Sequence, residues 1–322
     1  MKKLKSIVLF PLAIILLSSC EEEFNPYGEF KESYIFNCII RGDTTFQIAT
    51  LDRNYVADGL NPYDNHVDPA LKGAVVRIWY GDSVKILKYG EMQREDTSRY
   101  TTPFSYYYAD NFLPPANTNM EVEVLLPNGK KLNSSTHVPE AVYISNIYSD
   151  KIIPPVDKDY LQMRWALEKT NQIYVPFLYI NYFKKVNGVN IRHRMEVPVH
   201  WEKSGDLYLP KYPIASDAVA IIYEMDVIDI AMEQISAGDP NKSDYTILAA
   251  TFHVLALDDF LSTYYSATNI ASSGFSIKLD ETDFTNIDGG YGIFGSFTMS
   301  KYAAKFTHRY IESFGYKPGL TE

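Results

Sequence analysis

The chain has 322 residues, 46% of them hydrophobic and 22% charged, with a formal net charge of −10. That composition excludes a disordered chain, a collagen-like repeat and a disulfide-stapled miniprotein, and the length allows about two domains. The acidic balance disfavours nucleic acid or an anionic lipid surface as partner, because phosphate binding needs a basic field.

The chain opens on a leader. Lys2, Lys3 and Lys5 precede an apolar run over residues 7–17, broken only by Pro11. A basic start, a short apolar stretch and then small residues predict a secretory signal peptide over residues 1–19. Eleven helical residues at ~1.5 Å each reach roughly 17 Å, about half of a ~30 Å hydrocarbon core, so the run is too short for a membrane span. Leu17-Ser18-Ser19-Cys20 resembles the lipobox of bacterial lipoproteins. In that chemistry the Cys20 thiol takes a diacylglyceryl group, and the small Ser18 and Ser19 let the backbone enter the peptidase. Cleavage leaves Cys20 as the new N-terminus, and the resemblance implies further N-acylation there. Two or more acyl chains anchor a protein stably where one does not. Loss of residues 1–19 removes three lysines and leaves a mature charge of −13.

Glu21-Glu22-Glu23 follows at once. It resembles the surface-export signal of lipoproteins in the Bacteroidota, and it equally suits a solvated linker, which is what charge runs usually are. Residues 20–32 thus read as a lipidated, acidic tether. The one other cysteine, Cys38, sits in the apolar run Tyr34-Ile35-Phe36-Asn37-Cys38-Ile39-Ile40. With Cys20 consumed, no disulfide and no Cys-based metal site is expected, and Cys38 reads as a small buried apolar residue.

Residues 33–139 are rich in strand signals. Glu121-Val122-Glu123-Val124-Leu125 alternates strictly, the period of a half-buried strand, and Asn128-Gly129 behind it is a strong hairpin turn. Gly81-Asp82 separates strand-like residues 75–80 and 84–87 in the same way, and residues 45–55 and 105–109 are further strands. Residues 57–71, polar and holding Gly59, Pro62 and Pro69, read as a long loop. Thr136-His137-Val138-Pro139 looks like a domain exit. Beyond it, strands are expected over residues 161–167, 174–183, 192–200, 218–227, 246–256 and 292–298. A short helix over 228–237, closed by Gly238, and a second from Asp258 to Tyr265, with Asp258 as N-cap, complete the pattern.

The run Asn286-Ile287-Asp288-Gly289-Gly290-Tyr291-Gly292-Ile293-Phe294-Gly295 is the most specific motif. With the lipobox, the acidic start, the Thr-x-Val-Pro exit and a Tyr-rich helix after a long strand, it resembles the C-terminal signature of the Bacteroidota lipoprotein family called domain of unknown function 4249. Tyr291 stands where that family often has Leu. The resemblance implies an outer-membrane lipoprotein encoded beside a TonB-dependent transporter. Read from the residues alone, Gly289 and Gly290 permit positive φ and a tight turn, while Gly292 and Gly295 mark a bulge or close backbone approach in a strand. A phosphate-cradling loop would need a Gly-rich turn opening a helix, and the residues here continue as a strand.

Chemistry-bearing patterns are sparse. The six histidines (His66, His137, His193, His200, His253 and His308) show no His-x-His or His-Glu-x-x-His spacing and read as surface or capping residues; His193 and His200 would face opposite sides of one regular strand. No Gly-x-Ser-x-Gly elbow occurs. Asp258-Asp259 reads as helix capping more simply than as paired acids or calcium ligands, and Asp64, His66 and Asp68 as a solvated loop. The 26 Tyr, 17 Phe and 3 Trp are numerous, with clusters at Tyr106-Tyr107-Tyr108 and Tyr264-Tyr265. Either core packing or an aromatic interface for sugars or a membrane protein accounts for them, and Tyr107 should face away from its two neighbours.

The expected architecture is therefore mainly β. An immunoglobulin-like or transthyretin-like sandwich spans 33–139, a second β-rich domain with one or two short helices spans 140–315, and 316–322 is a tail. The expected function is a non-enzymatic binding or accessory subunit, anchored to the outer membrane through acyl chains on Cys20 and displayed on the surface if the acidic triplet acts as a signal. Its expected partner is a TonB-dependent transporter, with no nucleic acid, no cofactor, no metal and no catalytic residue. An adhesin or glycan-binding module is the alternative, and a hydrolase the third reading.

Overall fold

The computed structural model of the protein describes residues 30–55, 61–165, 172–205, 207–268 and 284–319. The leader, the lipobox around Cys20 and the acidic triplet Glu21–Glu23 lie outside the described residues. Strand makes up 51% and helix 11% of the structure, so the protein is mainly β, as the alternating patterns require. No helix among the described residues is long and apolar enough to cross a membrane.

The first half contains β1 (Tyr34–Arg41), β2 (Gln47–Arg53), β3 (Val75–Tyr80), β4 (Ser83–Ile86), β5 (Lys88–Met92), β6 (Phe104–Ala109), β7 (Thr118–Leu125) and β8 (Lys131–Val138). The second half contains β9 (Ile152–Ile153), β10 (Tyr160–Arg164), β11 (Ile173–Val186), β12 (Val189–Val197), β13 (His200–Ser204), β14 (Leu207–Lys211), β15 (Ala220–Glu224), β16 (Tyr245–Leu257), β17 (Tyr291–Phe306) and β18 (Lys317–Pro318). Its helices are α1 (Met225–Gln234), α2 (Asp259–Thr268) and α3 (His308–Ser313). That is three helices among the described residues, where the sequence led us to expect one or two. The third is a single short turn capped by Thr307, whose side chain accepts the Tyr310 N–H.

One ten-stranded sheet runs through both halves, in the order β12-β11-β16-β17-β1-β2-β6-β5, with β9 and β18 paired off the path. The link is a parallel pairing of β1 with β17, from Ile35 opposite Tyr291 to Arg41 opposite Phe297. A four-stranded sheet, β4-β3-β7-β8, faces the β1-β2-β6 part of the long sheet. The two inner faces meet in a first core that includes Phe36, Cys38, Ile40, Val76, Ile78, Tyr107, Val122 and Val124. β1 shows why: its residues alternate buried and half-buried, placing Tyr34, Phe36, Cys38 and Ile40 inward and Ile35, Asn37 and Ile39 outward. Ile287 and Phe294 also belong to this core, so residues after 284 complete a sandwich otherwise built from residues 33–139.

The second core covers the other half of the sheet. The β10-β15 ribbon, α1 and α3 pack Leu161, Met163, Trp165, Ile228, Met232 and Ile311 against Ile180, Phe252 and Val254. α1 presents Val227, Ile228, Ala231 and Met232, a helical spacing. The expected strand over 218–227 therefore ends at Glu224, because the residues from Met225 onward bury better as a helix. The expected strand over 192–200 also divides, at Pro198: β12 ends at Val197 and β13 starts at His200, so His193 and His200 are not on one strand. Tyr316 is buried, and its hydroxyl donates to Met232 O at 2.7 Å.

α2 crosses the outer face of the long sheet, where Leu261 and Tyr264 meet Val175, Leu255, Leu257, Ile293 and Phe297. Asp258 caps it, accepting the Leu261 N–H at 2.8 Å. Its carboxylate also accepts from the buried Thr136 hydroxyl, whose oxygen lies 3.1 Å from Ser296 Oγ. Burial pushes the Asp258 carboxyl up to about 6, against the lowering effect of these hydrogen bonds. The Thr-x-Val-Pro segment thus meets β17 through a polar junction: Ser296 Oγ donates to His137 O and Thr298 Oγ1 to Pro139 O.

Candidate functional site: a tyrosine- and arginine-lined cleft

The glycine motif builds the seam between the two halves. Asn286 bonds twice across the turn, from Nδ2 to Phe294 O at 2.7 Å and from the Phe294 N–H to Oδ1 at 2.9 Å. Asp288 bridges Asn133 on β8 through paired backbone bonds of 2.8 and 3.1 Å. Gly289 then turns at φ +82, where a Cβ would lie 2.6 Å from Lys131 O. At Gly292, φ is +109, and a Cβ would overlap Phe36 O outright. Only glycine lets β17 come this close to β1. Gly290 also has no room, with Tyr34 O 2.7 Å from a Cβ, whereas at Gly295 a Cβ would make ordinary contact with Leu261 and Asp258.

The outward face of this seam floors a cleft of about 710 Å³. Asn37, Gly292 and Ile293 form the floor, Asp52, Tyr55, Arg99 and Tyr100 one wall, and Tyr264 and Tyr291 the other. Arg99 is held by aromatic rings, 4.9 Å from the Tyr100 centroid and 5.1 Å from that of Tyr63, and donates to the Tyr55 hydroxyl at 2.6 Å. Arg94 stacks on Tyr100 at 5.2 Å and on Phe104 at 5.4 Å while pairing with Asp68 at 2.7 Å. Against the opposing effect of burial, hydrogen bonds from Thr102, the Ala70 N–H and Arg94 hold the Asp68 carboxyl below its ordinary value. Asp52 behaves oppositely: burial first, and the Asp68 carboxylate second, push it up to about 6. The cleft wall therefore gains negative charge as pH rises through 6. The cleft thus offers aromatic faces, a fixed guanidinium, a titrating carboxyl and the Asn37 amide, whose Oδ1 accepts the Ile293 N–H at 3.2 Å.

The same outer face carries a row of rings. Tyr107 points into the first core, its hydroxyl donating to Leu71 O and accepting the Ala74 N–H. Phe104, Tyr106 and Tyr108 point outward, with successive centroids 6.0 and 5.7 Å apart, and Phe46 extends the row 5.7 Å beyond Tyr108. Tyr106 and Tyr108 lie across Gly90, where a Cβ would come within about 3.1 Å of both rings. Through Arg94 the row leads to Tyr100 and the cleft.

Other residues singled out in the sequence have local roles. Asp64 accepts from Asn61, and Asp68 is spent on Arg94 and Thr102. His66 contacts Arg99 O, His137 contacts Asn117 and Asn119, and His193 stacks on Tyr182. Cys38 is buried, which pushes its thiol up to about 12 and makes it a poor nucleophile. Tyr264 lines the cleft, and Tyr265 packs against the α2 cluster. Sequence reasoning missed Asp52, Arg94, Arg99 and Tyr100, which lie in loops or face outward from a strand and match no motif. No protein-family model and no curated protein matches the chain.

Proposed function

We propose that the chain is a lipid-anchored outer-membrane lipoprotein that acts as a non-enzymatic binding subunit beside a TonB-dependent transporter. The observation that carries the binding role is the cleft between Arg99, Tyr100 and Tyr291, with Asp52 on its wall. Ser33 also lines it, so the tether enters beside its mouth. Twelve residues lie between Cys20 and Ser33, so thirteen residue-to-residue steps join them. Fully extended at about 3.4 Å each, they reach at most ~45 Å, which keeps the cleft within range of a partner in the same membrane. Anchoring rests on Leu17-Ser18-Ser19-Cys20, and acyl chains explain how an acidic chain is held at a membrane without a basic face. The transporter rests on the resemblance to the lipoprotein family, an argument by analogy. Purification of the lipidated chain from outer membranes in mild detergent should recover such a transporter. Repeated recovery of the intact lipoprotein alone would count against the partnership.

A surface glycan-binding module is the second reading, and the row Phe46, Tyr108, Tyr106 and Phe104 favours it, because rings in line on one face suit stacking on sugars. Glycan-array binding that is lost in Tyr106→Ala and Tyr108→Ala would support this reading. Binding that survives both substitutions would dismiss it.

A further inference from the structure

The outer face of the long sheet has a second hollow. Along β17, Gly292 and Ile293 line the cleft, Phe297 and Met299 pack in the cluster under α2, and Lys301 lines this hollow of about 530 Å³. Its other walls include Tyr179, Arg192, Arg194, Thr251 and His253. The register makes these side chains neighbours: Arg194 lies opposite Asn181, Thr251 opposite Tyr179, and Lys301 opposite His253. Tyr179 is the central post. The Arg194 guanidinium sits 4.7 Å from its ring centroid and the His253 ring 5.2 Å from it.

The cations here are unspent. Elsewhere Arg41, Arg77, Arg94 and Lys88 each reach a carboxylate within 2.9 Å. Among the described residues, Arg192, Arg194 and Lys301 make no ion pair, and the Tyr179 hydroxyl and the His253 ring make no hydrogen bond. Two carboxyls act on this region. Asp43 is held by Arg41 at 2.8 Å, and Glu196, opposite Tyr179, is pushed up by burial to about 7, so it is only partly ionised at neutral pH. His253 is pushed down to about 4 by burial and by Lys301 and Arg194, and so is neutral at that pH. Converging cations that form no ion pair among the described residues, in a chain of net negative charge, mark a site whose anion is supplied from outside.

The geometry points to this hollow as a binding site for a small polyanion carrying two or more phosphate or carboxylate groups. Arg192 and Arg194 stand on β12 and Lys301 on β17, three strand spacings away, or roughly 14 Å between axes at about 4.8 Å each. Cations on two opposite rims fit a ligand with separated anionic groups better than a single oxyanion. The Tyr179 and Thr251 hydroxyls between them supply further donors. The site is separate from the cleft and does not depend on the transporter.

Calorimetric titration of the intact chain in mild detergent, with inorganic pyrophosphate and with citrate, tests the site. Saturable binding of either probe, weakened by added NaCl, is expected. Arg194→Gln and Lys301→Gln should each weaken it about tenfold, the scale of one charge-assisted hydrogen bond. Glu196→Gln should tighten it by removing a like charge, and Lys88→Gln, on β5, should leave it unchanged. Thermal midpoints near wild type establish that the variants fold. Absence of saturable binding to both probes, or equal affinity in wild type, Arg194→Gln and Lys301→Gln, would overturn the assignment.

Discussion

Gly292→Ala probes the seam that joins the two halves of the sheet. At φ +109 an alanine is strained by about 1–3 kcal/mol. Its Cβ would also overlap Phe36 O and lie 2.7 Å from Asn37 Oδ1, and a backbone oxygen in a parallel pair yields only if β1 and β17 part. Such overpacking adds about 1–3 kcal/mol, for a total of roughly 2–6 kcal/mol. At about 2–4 °C per kcal/mol for a chain of this size class, the thermal midpoint should fall by roughly 5–20 °C. Two controls separate the contributions. Gly129 has φ +83 with nothing within 4 Å of a Cβ, so Gly129→Ala carries strain alone. Gly295→Ala meets only ordinary contacts and should be close to neutral. Thermal and urea unfolding of the three variants should rank them Gly292→Ala, Gly129→Ala and Gly295→Ala, from most to least destabilised. If Gly292→Ala is no worse than Gly129→Ala, the close approach of β1 to β17 is not what the motif provides.

Three further outcomes follow from the same geometry. The Asp258 carboxyl rises from 3.8 to about 6 on folding, so the folded state holds its proton more tightly and stability falls as pH rises from about 4 through 6. A rise of that size corresponds to roughly 3 kcal/mol, and Asp258→Asn should lose that slope when urea midpoints are compared at pH 4 and 7; parallel slopes would contradict it. Tyr107→Phe keeps the buried ring but strands the Ala74 N–H and Leu71 O, costing about 1–2 kcal/mol with no change in urea m-value, and an unchanged midpoint would refute the role of the hydroxyl. Cys20→Ala should abolish lipid labelling and leave the precursor uncleaved, while normal processing would sink the lipoprotein reading.

Local order was largely legible in the sequence. The alternation at residues 121–125 lies within β7, whose burial pattern follows it, and Asn128-Gly129 turns β7 into β8 with Gly129 at φ +83. Tyr107 faces the core and its neighbours face out, as a period of two demands. Asp258 caps α2 as read, since capping needs only residues within one turn. Pairing between distant segments was not legible. β1 and β17 are about 250 residues apart, and nothing in Tyr34–Arg41 announces a parallel partner. β17 is also more than twice as long as the strand read at 292–298: residues 293–298 are buried on both faces, and beyond Met299 the small residues Ser300, Ala303 and Ala304 blur in the sequence an alternation that the burial pattern shows. The Arg99–Tyr100 wall was invisible for a related reason: ring and guanidinium stacking joins residues 63, 94, 99 and 104 through space, with no spacing rule to betray it.

The binding-subunit account is tested most directly by placing a photo-crosslinking side chain at Tyr291, which is 57% exposed at the cleft wall, in the lipidated chain in living cells. Irradiation should yield one dominant adduct, identified by mass spectrometry as a TonB-dependent outer-membrane transporter. A lipidated, surface-accessible chain that forms no such adduct from Tyr291, while crosslinking to other envelope components, would contradict the account.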